Sequence, residues 1–570
     1  MAQSYWQKYA RYRVNRRRAL QGAAGVGTGI AAVALVGCGG DGNGGDGNGN
    51  GNGTTGPGVY KPQDTTSGAK TGGTLRDFIT TDVVSFDPLS SSSFNTQSSV
   101  AYFTYPRLLR FKTEKYPDKA TGESEGELAT SHEVSEDKLQ VTFRLRPGLK
   151  WESRAPTNGR EIDAEDVVFS WNKFASVSPF RGDFAYSAEN AGAPVESVSA
   201  PDNRTVVFRL HQPDSSIVQL FTTAILFFVM PRESEGGFDP KGEVRGYGPY
   251  LLEEFQPSAL HVWRKAPEYF IQGRPFLDRI ERPIVPEYAT RLGQFKAGNI
   301  WTTVVRAEDV AATKRDVPDL LLTQDEQYDP NPTSFVSFGY EGNSPFKDER
   351  MRQAVSLLID RELMLDVIGN RDQFEAEGLE LPFRLHTVVG AGWDGFWIDP
   401  SSNDFGDNGK FLTFNPAEAK KLMSAAGFPN GVDTELFYNQ GSQYGSTYTR
   451  VAEVLVSMFS DGGIRARQSP KDYQTDYLPN YYYAYAAGNT KGFNGIIYGA
   501  ERSYPTLSSQ LYATMHRAGP RFHGMTPNGE RAWEGDPQVN QMIERIRTEF
   551  DLERQQDLSQ EFARFMTGKA

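Results

Sequence analysis

The chain of 570 residues predicts an α/β fold divided into at least two domains. Its second half alternates extended segments with amphipathic helices, the pattern of a layered α/β sheet. Its first half carries two strand-like segments of similar sequence, best explained as partners in one small antiparallel sheet. Roughly 530 residues follow the single cysteine, and one hydrophobic core stops growing near about 250–300 residues.

The first of the two strands has Leu139, Val141, Phe143 and Leu145 alternating with Gln140, Thr142, Arg144 and Arg146, and Pro147-Gly148 ends it. Thr205 to Pro213 echoes it. Between them Asp163 is placed to cap a helix whose apolar positions are Ala164, Val167, Val168 and Trp171. In Gly246-Tyr247-Gly248-Pro249-Tyr250 the glycines are expected to supply permissive backbone angles ahead of a strand. Ile280 to Pro286 reads as a short strand, which Pro283 would place at an edge or a bulge. Ser90 to Ser99 is a hydroxyl-rich loop before aromatic residues, either a pocket wall or an ordinary helix start.

In the second half, Met351, Ala354, Val355, Leu358 and Ile359 fall on one helix face behind Asp348. Asp360 restarts a helix that Gly369 stops. Asn415-Pro416-Ala417-Glu418 has the form of a capping box with proline at the first helical position. Tyr448, Ala452, Leu455, Val456 and Phe459 form another apolar stripe, closed by Gly462-Gly463.

The amino terminus reads as an address and a tether. Residues 1–37 hold six basic residues and no acid, then a mildly apolar stretch from Ala19 to Gly37. Arg16-Arg17-Arg18 resembles a twin-arginine export signal. Leu35-Val36-Gly37-Cys38 resembles a lipobox, in which the chain is cut before the cysteine and the thiol acylated; the other reading is an anchor helix with an incidental cysteine. Residues 38–72 form a linker rich in Gly and Asn, with too little apolar surface to repay its ordering. Cleavage at Cys38 would leave 54 basic residues against 72 acidic ones. That balance excludes the basic footprint of a nucleic-acid binder and leaves membrane attachment to the lipid. Catalysis finds no support, because the six histidines lack metal-ligand spacing and no nucleophile elbow or phosphate loop is present.

Gly72-Gly73-Thr74-Leu75, Ser85-Phe86-Asp87-Pro88, Thr142 to Gly148, Asp163 to Trp171, Gly248-Pro249-Tyr250, Pro345 to Ala354, Ile359-Asp360-Arg361 and Ala425-Ala426-Gly427 together resemble the family 5 extracellular solute-binding proteins. These are the peptide, dipeptide and nickel binders of ABC importers. The resemblance implies a two-lobed periplasmic-binding-protein-like clamshell of the class II, cluster C type. Lobe I would span 73–325 with an extra subdomain at 111–246, and lobe II 326–518, joined by two hinge strands. Residues 519–570 would return to lobe I, in a version shorter than its relatives or truncated.

The resemblance also implies a function. The protein would capture peptide or another small solute between its lobes and deliver it to a permease and ATPase, as a monomer without cofactor. It would be lipid-anchored through Cys38 at the outer face of the bacterial cytoplasmic membrane. The alternatives are an envelope sensor or chaperone of the same fold, and a secreted hydrolase with dispersed carboxylates. Oligosaccharide, opine or a nickel chelate are the other ligand classes.

In peptide-binding members a Trp-Gly-x-Asp-x-x-x-Pro stretch supplies an aspartate for the ligand's ammonium. Tyr498-Gly499-Ala500-Glu501-Arg502-Ser503-Tyr504-Pro505 matches it, with Glu501 at the aspartate and Tyr498 at the tryptophan. Either Glu501 meets a ligand ammonium, or Arg502 neutralises it internally. Tyr438 and Asn439 follow a strand and are candidates for the cleft; Trp393 and Trp397, in a loop rich in Gly and Asp, are candidates for its rim. Trp301 and the run Tyr481, Tyr482, Tyr483 and Tyr485 are expected to be packing residues.

Overall fold

The computed structural model describes residues 59–569, apart from 92, 94–95, 97–99, 119, 224–225, 325–333, 380, 382, 442–443, 445–446, 487–488, 502–503 and 527–529. The signal, Cys38 and most of the linker lie outside the described residues, as do Arg502 and much of the Ser90–Ser99 loop. Among the described residues, no helix is long and apolar enough to cross a membrane.

The body is a two-lobed α/β clamshell. The strands of the first lobe are β1 (Thr74–Arg76), β2 (Leu109–Phe111), β3 (Ser124–Gly126), β4 (Ala129–Val134), β5 (Gln140–Leu145), β6 (Val195–Asp202), β7 (Thr205–Leu210), β8 (Tyr250–Gln256), β9 (Leu260–Lys265) and β10 (Arg279–Pro283). One sheet has the order β1-β10-β9-β8, and a second, antiparallel sheet the order β4-β5-β7-β6. The echoing strands are indeed neighbours: β5 and β7 pair antiparallel, Phe143 opposite Val206. Helix α1 (Ala164–Val177) connects β5 towards β6 and begins at Asp163, whose carboxylate accepts from the Asp166 N–H while the Asp166 side chain returns the bond. A single apolar core runs through both sheets, from Ile280 and Trp263 to Phe143 and Phe208.

Several local expectations need correction. Strand β10 is interior, between β1 and β9, not an edge; Pro283 is its last residue, where its carbonyl still accepts from the Ile79 N–H. Leu139 lies outside β5 and is exposed. Gly246 and Gly248 do not occupy the left-handed region. They are needed for close approach, because a Cβ on Gly248 would lie 1.9 Å from the Phe103 carbonyl oxygen. Trp301 is 53% exposed rather than packed in a core.

The second lobe is built on β11 (Phe335–Tyr340), β12 (Val432–Asn439), β13 (Ile464–Lys471) and β14 (Asn494–Gly499), in the order β11-β14-β12-β13. Strand β12 is parallel to both neighbours, and β14 is buried along nearly its whole length, as suits a strand covered on both faces. The predicted helices form: α2 (Glu349–Leu358) capped by Asp348, α3 (Arg361–Gly369) capped by Asp360, α4 (Pro416–Ala425) and α5 (Tyr448–Gly462). Only half of the expected capping box exists at α4: Asn415 accepts from the Glu418 N–H, while the Glu418 carboxylate pairs with Lys421. Gly463 ends α5 in the left-handed region with φ of 102°.

Three further helices complete the chain: α6 (Leu507–Met515), α7 (Pro537–Arg547) and α8 (Leu552–Lys569). They share a small core of their own, with Val389 and Phe405. Helix α8 docks on the second lobe, where Arg352 and Gln353 of α2 donate to the carbonyls of Lys569 and Gly568.

Candidate functional site

The centre of the candidate site is the end of β14. Tyr498 is the last side chain before Gly499, and a Cβ on Gly499 would come within 2.3 Å of the Phe335 ring and 2.8 Å of the Tyr477 hydroxyl. Only glycine lets the strand leave the sheet there, and the chain turns directly to Glu501. The carbonyl of Tyr498 accepts from two hydroxyls, Tyr448 at 2.6 Å and Tyr477 at 3.1 Å. The Tyr498 ring stacks on Tyr448 at 4.5 Å.

Tyr477 belongs to an unusual helical segment, Tyr473–Tyr482, with π-type geometry: the Tyr477 N–H bonds the Asp472 carbonyl five residues back. The predicted aromatic run ends this segment and is packing, as expected for Tyr481, which stacks on Phe437 at 4.1 Å, and for Tyr485, whose hydroxyl accepts from the Tyr340 N–H. Tyr482 does more. It is buried, and its hydroxyl bears on Glu501.

The Glu501 side chain is only 7% exposed. Its Oε1 lies 2.7 Å from His523 Nε2, and its Oε2 accepts from the Tyr504 hydroxyl at 3.1 Å. Arg521 Nε stands 4.0 Å from the same oxygen and donates to Tyr504 at 2.6 Å. Burial alone would raise the carboxyl's pKa; the hydrogen bond and field of His523, followed by Arg521 and Tyr482, outweigh it and hold the pKa below its ordinary value. The result is a carboxylate kept ionised out of water. Arg521 also donates from Nη2 at 2.5 Å to Asp183, which precedes β6 of the first lobe.

Asn439 ends β12 beside this cluster. It is fully buried, its Oδ1 accepts from the Gly441 N–H at 2.8 Å, and its backbone bears on the Tyr448 hydroxyl. Tyr438 points elsewhere, donating to Gln468 of β13 at 3.3 Å. Trp393 and Trp397 are also apart from Glu501. They pack against the C-terminal helices, Trp393 donating to Gln510 at 3.4 Å and Trp397 to the Leu385 carbonyl at 3.0 Å.

The sequence therefore points to Glu501 but not to its partners. Arg521, His523 and Asp183 were not singled out, because nothing in their spacing marks them. The one signal was Tyr504, which lies within the same short motif. Among the described residues, no group of His, Cys, Asp and Glu could hold a metal.

The profile of the bacterial extracellular solute-binding proteins, family 5 Middle, matches residues 123–519. Heme-binding protein A of Haemophilus influenzae is 24% identical over 409 residues, 68% of each chain. The Dipeptide-binding protein of Escherichia coli is 24% identical over 403 residues, 67% of this chain and 69% of its own. Among solved structures, the ABC transporter-associated periplasmic binding protein DppA from Helicobacter pylori, in complex with peptide STSA, has a TM-score of 0.67 at 16% identity, covering 89% of this chain and 93% of that one. MoaA from A. tumefacien R10, in complex with mannopinic acid, has a TM-score of 0.63 at 24% identity, covering 88% and 91%. These superpositions carry the fold, the two-lobed clamshell of periplasmic binding proteins. With the family profile spanning most of the folded body, the chain belongs to the family 5 bacterial extracellular solute-binding proteins.

Proposed function

We propose that this extracytoplasmic solute-binding component of an ABC importer takes a peptide or a related amine-bearing solute, with Glu501 as the acid that meets the ligand's ammonium. The family is one of binding proteins rather than enzymes. The observation that supports the ligand reading is the Glu501 carboxylate at the end of β14, its side chain 7% exposed and bonded to His523 and Tyr504. A carboxylate held charged away from water needs cationic or hydrogen-bonding partners, and a ligand ammonium would take the place of the His523 donor at Oε1. Tyr498 and Asn439 hold the strand end in place, and Arg502 flanks Glu501 in sequence. Tyr438, Trp393 and Trp397 are assigned to the wall and rim, Tyr438 at the Gln468 side.

The test is calorimetric titration with trialanine and N-acetyl-trialanine. Trialanine is expected to bind, and acetylation or Glu501→Gln to weaken binding by about 10²-fold or more, the loss expected when a buried charge loses its partner. Equal affinity for both peptides, or an unchanged Glu501→Gln variant, would remove Glu501 from the ligand site.

We place the lobe boundary near 325 and, on the packing of α8 against α2, assign the C-terminal helices to lobe II instead of the return to lobe I expected for residues 519–570. At the amino terminus, export through the twin-arginine signal and acylation of Cys38 would tether a monomeric binding protein beside its permease at high effective concentration. A Cys38→Ala variant is expected in the medium or periplasm instead of the membrane fraction.

A further inference from the structure

Two interfaces meet the first-lobe sheet β4-β5-β7-β6, and they differ in kind. Towards β8, β9 and β10 the contact is continuous apolar core. Towards the segment 504–555 it is a polar seam. Arg547 of α7 pairs with Asp214 at 2.8 Å, the two side chains 2% and 4% exposed, and it donates to the Gly192 carbonyl at 2.6 Å. The Ser215 N–H bonds the Arg547 carbonyl at 2.9 Å, and the hydroxyls of Ser216 and Thr506 meet at 2.7 Å. Arg521 and Asp183 form a second buried ion pair of this seam, and Arg521 also reaches the Glu501 cluster.

We infer that Arg521 is a positioning residue that couples the Glu501 pocket to closure of the lobes. Its guanidinium is shared between Tyr504, which holds Glu501, and Asp183 on the opposite lobe, so neither contact changes without the other. Asp183 and Tyr504 hold the guanidinium between them, so that Arg521 Nε stays 4.0 Å from Glu501, a long ion pair rather than a direct hydrogen bond. If the lobes part, Asp183 leaves, and the guanidinium relaxes onto Glu501 as a direct ion pair. The open form then holds Glu501 more tightly neutralised by Arg521 than this form does. Burying the pair gains little net stability, since desolvation offsets the attraction. Its effect is on which state Glu501 experiences, and so on the differential affinity that drives closure. The inference rests on Glu501 being the ligand acid for its functional meaning, but its physical content does not need ligand.

The test therefore uses the full chain without ligand. The Arg521 Nε–H signal is followed by NMR, and hydrogen exchange is measured over residues 181–193 and 515–523. In Asp183→Asn the seam is expected to exchange faster. The Arg521 Nε–H signal is expected to shift downfield, because its donor passes from the Tyr504 hydroxyl to the Glu501 carboxylate. Asp183→Glu keeps the charge and should restore both. Asp214→Asn loosens the seam through the other ion pair and should move the Arg521 signal much less. Arg521→Lys, which keeps the charge without the fork, should raise exchange as Asp183→Asn does. A seam that loosens in Asp183→Asn with no movement of the Arg521 signal would show a merely structural bridge and overturn the inference, as would no change in either readout. Because peptide is absent, an unchanged Glu501→Gln affinity would count against the ligand reading alone.

Discussion

The two lobes both rest on clustered aromatic residues, but of different chemistry. In the first lobe Phe143, Phe174, Phe184, Phe208, Phe221 and Phe227 surround Trp171, with Phe208 and Phe221 ring centroids 4.5 Å apart. In the second, Tyr444, Tyr448, Tyr473, Tyr477, Tyr482 and Tyr498 do the packing. A phenylalanine cluster asks only for shape. A buried tyrosine must also find a partner for its hydroxyl, and those of Tyr448 and Tyr477 meet on the Tyr498 carbonyl while that of Tyr482 bears on Glu501. Burial raises the pKa values of Tyr477 and Tyr482 well above the usual phenol value, so they remain neutral donors. The first lobe is thus a scaffold, and the second combines scaffold and polar site in one set of side chains.

The largest expected effect is on the scaffold. Phe221 touches Phe143, Phe184, Phe208 and Phe227 and is 1% exposed. Phe221→Ala should cost about 3–5 kcal/mol in denaturant unfolding. A loss below about 1 kcal/mol would mean that the cluster collapses around the gap and the contrast with the second lobe is weaker than drawn.

Acid should act on the polar half. His516, stacked on Tyr512, has its pKa lowered from 6.5 to about 4, first by burial and then by Arg547 and Arg517. Its ring is 3.3 Å from Glu544, but that carboxyl is itself pushed up by burial, so the imidazole stays neutral. The unfolded chain takes up the proton before the folded one does. Stability from this residue is therefore complete above about pH 6.5 and lost as the pH falls towards 4, roughly 3 kcal/mol in all. Thermal melting between pH 7 and 4 should show the decline in the natural protein and a flatter profile over that interval in His516→Gln. Glu501 adds a further loss below its unfolded value of 4.5.

The smallest effect is a single hydroxyl. Tyr448→Phe keeps the stack on Tyr498 and removes one of two donors to its carbonyl. The expected cost is about 1 kcal/mol, because Tyr477 still satisfies the acceptor. A cost near that of Phe221→Ala would show the hydroxyl network acting as one cooperative unit.

Much of the fold was legible because its signals are local. Asp163, Asp348, Asp360 and Asn415 sit one residue before helices that they cap, and the echo of one strand's sequence in the other marked β5 and β7 as partners. Pro283 misled because a proline ending an interior strand reads the same as one at an edge. Trp301 misled because the sequence shows hydrophobicity but not exposure. At the site, the short motif from Tyr498 to Pro505 reached Glu501 and, in Tyr504, one of its partners.

What the sequence determined by itself is therefore whatever spans a turn or a single element: caps, strand alternation, the family's motifs and the identity of the buried acid. The tertiary structure decided what neutralises that acid. Arg521 and His523 lie beyond a helix and a loop from Glu501, and Asp183 lies on the other lobe, more than three hundred residues before Arg521. No periodicity connects positions that are brought together only when two lobes close over them, and a charge out of water can be balanced only by what the fold places within a few ångströms.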